Sequence, residues 1–158
     1  MAKVSIKIEG IEALKKKLME KKQAVDNVLK TALPELGEKA VTYSKENKGY
    51  QDQTANLKNS ISFAVFFDGK LINTTIGKIP EPDKVKGGQA QVQSALEEYA
   101  SKPGVVAPKG YTIIVVAGMV YGKYVEDKGY NVLYLTKHYL HNGMKDIYQM
   151  ISDLLKEK

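Results

Sequence analysis

The sequence predicts an α+β fold: a small, mostly antiparallel sheet of three to five strands packed with two long amphipathic helices, at about 11–47 and 133–156. Three observations predict it. Apolar residues recur at three- and four-residue steps along both helical stretches. Residues 61–76 alternate around an Asp68-Gly69 pair, the signature of a hairpin, because both turn residues tolerate positive φ. Residues 111–117 form an unbroken apolar run, as a covered interior strand does.

Taken in order, the chain opens with a strand candidate at residues 4–8, whose Val4, Ile6 and Ile8 share one face before Gly10 ends it. Ile11, Leu14, Leu18, Val25, Leu29, Ala32, Leu36 and Ala40 then trace a helical stripe, with Lys15, Lys16, Lys17, Lys21 and Lys22 mostly on the outer arc. Pro34 lies inside that stripe and lacks an N–H, so a kink, or a break and restart, is expected there. Ile61, Phe63, Val65 and Phe67 make one face of the first hairpin strand, and Leu71 begins the second. Four of the five prolines fall between Pro80 and Pro108, which marks residues 80–109 as an insertion. Within it Val92, Leu96 and Tyr99 share a face, consistent with a short surface helix at about 88–101. Leu140, Met144, Ile147, Ile151 and Leu154 form the stripe of the terminal helix. The helices are expected on one face of the sheet.

Composition bounds the function. At 158 residues the chain fits one domain, residues 1–158, able to bury about two thirds of its unfolded surface. It has no cysteine, and hence neither disulfides nor thiolate chemistry, and no stretch that reads as a signal peptide or a membrane span. A cytoplasmic location and no membrane partner are therefore expected. The net charge of +6 is carried by 24 lysines and no arginine, the residue that makes bidentate contacts to guanine and phosphate. Nonspecific contact with nucleic acid is the alternative function that this charge supports.

Chemical signatures are few. His138 and His141 stand three apart, but without thiolates or an evident third ligand they read as exposed helix residues, and no metal is expected. Neighbours on a helix do not face each other, so Glu97-Glu98 and Glu126-Asp127 read as solvated faces and not as proton-sharing pairs. Gly87-Gly88 lacks the spacing of a phosphate loop, and no nucleophile elbow occurs. No catalytic or cofactor-binding residue is assigned. The ten tyrosines, many beside glycine or charge, favour protein association, since tyrosine supplies large contact area at little entropic cost.

Two polar stretches, residues 50–61 and 117–129, abut apolar strands and carry the remaining signal. In the first, Thr54, Asn56, Leu57, Ser60 and Ile61 match a motif that runs approximately Tyr-Asp-Arg-Thr-Gly-Asn-Leu-Arg and then Ser-Ile. Gln53, Ala55 and Lys58 depart from it. In the second, Tyr121, Tyr124, Val125 and Glu126 match, with Gly129 following. In this order, flanked by a lysine-rich helix and a terminal helix, the motifs resemble the head-tail joining, or tail-completion, proteins of long-tailed phages and prophages. The resemblance implies a non-catalytic virion component, a subunit of a ring between capsid and tail. It would bind copies of itself and the neighbouring head-completion and tail proteins, with no cofactor. It also implies residence in the bacterial host's cytoplasm during assembly and then in the virion neck or tail. Because Ala55 replaces the family's glycine, the corner is expected not to need positive φ there. The absent arginines remove the residues for any salt bridges made by the family.

Overall fold

The computed structural model describes residues 9–51, 55–76 and 88–157, apart from the side chains of 88–90. The strand expected at residues 4–8, and Thr54, lie outside them. The elements are α1 (Ile11–Glu46), α2 (Asn56–Asn59), β1 (Ile61–Phe67), β2 (Lys70–Thr74), α3 (Gly88–Ala100), β3 (Tyr111–Ala117), α4 (Gly122–Asp127) and α5 (Tyr134–Lys156). The strands form one antiparallel sheet in the order β2-β1-β3, so the α+β class with two long helices holds.

β1 is the interior strand, and alternation assigns its two faces to different helices. Ile61, Phe63 and Val65 join Leu33, Leu36 and Val41 of α1 and Ile147 of α5 in one core. Ala64 and Phe66 meet Val92 and Leu96 of α3, with Ile114 and Val116, in a second. Two expectations change accordingly. The two long helices share one face of the sheet, as expected, but the helix read as a surface excursion closes the second face. β3 is covered on both faces yet stands at the sheet's edge among the described residues. Its apolar sequence records the helices above and below it, which says nothing about strands beside it.

α1 runs unbroken through Pro34. The proline frees the carbonyl of residue 30, one turn back, but Leu33, Leu36, Ala40 and Val41 around it are all buried and hold the helix on the sheet. Gly37 lets the helix sit close, since a β-carbon there would lie 2.6 Å from Phe63 Cγ. α5 runs antiparallel to α1. Tyr139 stacks on Tyr43 with ring centroids 4.6 Å apart, and the Lys21 ammonium donates to the carbonyls of Leu154 (3.0 Å) and Glu157 (2.6 Å) at the far end. Those carbonyls are otherwise unpaired at a helix C-terminus, where a cation is favoured. α1 continues past this point, and residues 11–20 are exposed throughout, Leu14 at 58% and Leu18 at 61%.

The hairpin turn takes positive φ at Asp68 (47°) and Gly69 (78°), as its sequence requires. β2 then carries a bulge. Val65 pairs with Asn73 but Phe66 with Leu71, which leaves Ile72 as the extra residue.

Candidate functional site: the corner where the two motifs meet

The two motif stretches lie at the same end of the sheet and touch. Asn59 N–H donates to Ala55 O (2.8 Å) and Ser60 N–H to Asn56 O (2.9 Å), closing the single turn of α2 that delivers the chain into β1. The Ser60 hydroxyl donates to Leu57 O (2.7 Å). Beside it, β3 leaves the sheet: Ile61 pairs with Ala117, and Gly118 N–H donates to Ser60 O at 3.1 Å. Leu57, only 4% exposed, packs over Gly122 at the start of α4. Thus Asn56, Leu57, Ser60 and Ile61 are buried parts of this corner.

One expectation fails here. Ala55 adopts φ 58° in the left-handed region, so the corner keeps the conformation a glycine would favour despite carrying a β-carbon. It is the residue just before the first turn of α2.

Glu126 takes a role that spacing alone did not reveal. Its carboxylate accepts three backbone N–H groups, from Val132 (2.9 Å), Leu133 (2.7 Å) and Tyr134 (3.0 Å). These are donors at the start of α5, which have no partner within the helix, and a negative charge there opposes the positive end of the helix dipole. Asn131 adds a fourth link by accepting from Leu135 N–H at 2.9 Å, and it ties the loop to α1 by donating to Asn47 O at 2.6 Å. The Ser44 hydroxyl donates to Val132 O at 2.6 Å. Glu126 is therefore not a solvated helix charge. It fastens α4 to α5.

Around this scaffold the surface is aromatic and bare. Val120 is 89% exposed, Tyr124 65% and Tyr134 64%, and Tyr121 and Tyr130 are exposed beside them. The Lys128 ammonium sits 5.2 Å from the Tyr124 ring centroid, and Tyr134 meets His138 edge to face at 5.3 Å. Val125 is half-buried on the inner side of α4. The motif thus divides: Val125 and Glu126 serve the fold, while Tyr121 and Tyr124 face outward.

His138 and His141 are exposed on α5, and among the described residues no cluster of three metal-ligating side chains occurs. Within the described residues no helix is long and apolar enough to cross a membrane. The chain matches no family model, no curated protein and no solved structure.

Proposed function

We propose that the chain is a structural assembly protein, a subunit of a ring at the head-tail junction of a phage or prophage, acting by association with itself and with neighbouring head-completion and tail proteins, without catalysis. The observation that carries this reading is the corner just described. There the two motifs that resemble the tail-completion family form one rigid unit, and its outward face is an uncovered set of tyrosines and Val120. Exposed tyrosine and aliphatic area held on a fixed scaffold is what a repeated protein contact requires. Assembly in the host cytoplasm and residence in the virion neck or tail follow from the same reading.

The rival reading, nonspecific nucleic-acid binding, draws on the lysines of α1. Lys15, Lys16, Lys17 and Lys22 are exposed, but Glu12 pairs with Lys15 at 3.1 Å and Lys21 is engaged at the end of α5, so two lysines of the cluster are taken up within the chain.

The test is mass measurement over a concentration series, together with joining of purified capsids to tails. Self-association, or joining activity, that is lost in Tyr124→Ala/Tyr134→Ala with the circular dichroism unchanged is the expected result. A strict monomer that also fails to join capsids and tails would count against the ring.

A further inference from the structure

The two edges of the sheet differ. β2 carries features that discourage strand addition: it has five residues, opens with Lys70 and is bulged at Ile72. β3 has seven residues and no charge, proline or bulge. Gly118 N–H donates to Ser60 O and Asp68 N–H to Gly110 O, which fixes Thr112, Ile114 and Val116 as the residues whose backbone groups face β1. The N–H and C=O groups of Tyr111, Ile113, Val115 and Ala117 therefore point away from it, where no strand stands among the described residues.

That edge floors a two-sided groove. On the α5 side a cavity of about 690 Å³ has Ile113, Val115, Leu140 and Met144 in its wall together with Lys137 and His141. On the α3 side a cavity of about 790 Å³ has Gln91, Ser94 and Glu98 along its wall. The occupant this shape admits is a strand with no helices of its own, because a second β3 would bring its α3 and α5 against these.

We propose that residues 4–8 of a second copy add to the free edge of β3 as a fourth strand. The sequence fits both sides of the groove. Val4, Ile6 and Ile8 share the face that would meet the aliphatic part of the α5-side wall, and Ser5 and Lys7 the face that would meet Gln91, Ser94 and Glu98, the last of which already pairs with Lys102 at 3.5 Å. Reach makes the donor a different copy. Phe63 sits against Gly37 of α1 and pairs with Val115, and Tyr111 lies four residues, about 13 Å, from Val115, so even the end of β3 nearer the start of α1 lies level with Asp26 or beyond. From Ile11 to Asp26 the helix rises about 22 Å, whereas the links from residue 8 to Ile11 span about 10 Å fully extended. The exposed residues 11–20 of α1 become the arm that carries the strand to its neighbour. Each copy donates at one place and accepts at another, an interface that closes into a ring or runs on as a chain. The inference rests on the self-association proposed above and is independent of the phage role.

The absence of native cysteine gives a clean test. One preparation carries Val115→Cys, and five others carry a single cysteine at position 4, 5, 6, 7 or 8; each is mixed with the first, oxidised and run on a non-reducing gel. Thermal melts establish that Val115→Cys remains folded. Disulfides between copies at positions 4, 6 or 8 and at neither 5 nor 7 are expected, since only one face of the added strand meets Val115. Cross-linking without alternation, homodimers of Val115→Cys alone, a bond within one chain of a double variant at high dilution, or no bond at all would each overturn the exchange. As a second measurement, Ile6→Asp should raise the dissociation constant of self-association about tenfold or more, and an unchanged constant overturns the exchange. Assembly without the alternating pattern would leave the ring reading standing. The pattern in a protein that joins no capsid to tail would do the reverse.

Discussion

Leu57 closes over Gly122: a β-carbon on Gly122 would stand 3.1 Å from Leu57 Cδ1, so the two motif stretches are in direct contact across the end of the sheet. Leu57 is the apolar anchor of that contact. Leu57→Ala should lower stability by about 2–5 kcal/mol in urea unfolding, the usual cost of a cavity at a buried leucine. A loss below about 1 kcal/mol would mean that the corner collapses freely and is not the rigid unit described.

Glu126 satisfies three otherwise unpaired donors at the start of α5 with one carboxylate. Glu126→Ala should cost about 1–3 kcal/mol, the range for removing a partner from partly buried donors at a helix N-terminus. Glu126→Gln, which keeps one acceptor oxygen and loses the charge, should fall between wild type and alanine. Hydrogen exchange gives the local readout, with faster exchange at Val132, Leu133 and Tyr134. If Glu126→Ala leaves these amides protected, the loop holds the helix without the carboxylate.

Pro34 sits in the only segment of α1 whose neighbours are deeply buried, so packing has overridden a local penalty. Pro34→Ala should therefore stabilise the protein, by about 1–3 kcal/mol, because it restores a donor to the carbonyl of residue 30 while the packing of Leu33 and Leu36 is unchanged. A destabilised variant would show that the proline ring is itself a needed part of the core.

These cases mark how far the sequence could be read. Helix periodicity located α1 and α5 to within a residue or two, because an amphipathic stripe reports burial directly. The Asp68-Gly69 pair located the hairpin, because turn chemistry is local. What escaped was set by neighbours distant in sequence. Periodicity records that β3 is covered but not that it lacks a strand on one side, and it records the apolar face of α3 but not which sheet face that closes. Ala55 takes a left-handed φ against its own preference, which its residue type could not announce. Glu126 reads as a surface charge until the loop after α4 folds the start of α5 back onto it. The motif residues were legible as a group, while their division into buried anchors and exposed tyrosines was not.

Lys45 ends α1 half-buried near Lys58 of the first motif, and burial followed by the neighbouring charge of Lys58 lowers its pKa from the ordinary 10.5. The folded chain therefore holds this proton less tightly than the unfolded chain does. Charged Lys45 opposes folding at pH 7, and stability recovers as pH climbs from the folded value towards that of the unfolded chain. Lys45→Met keeps a long apolar side chain and removes the charge, so it should melt higher than wild type at pH 7. The gap in melting temperature should narrow as pH approaches 10.5, where the wild-type side chain also loses its charge. A melting temperature equal to wild type at pH 7, or a gap that stays constant up the pH series, would show that the Lys45 ammonium reaches solvent freely and bears no cost of burial.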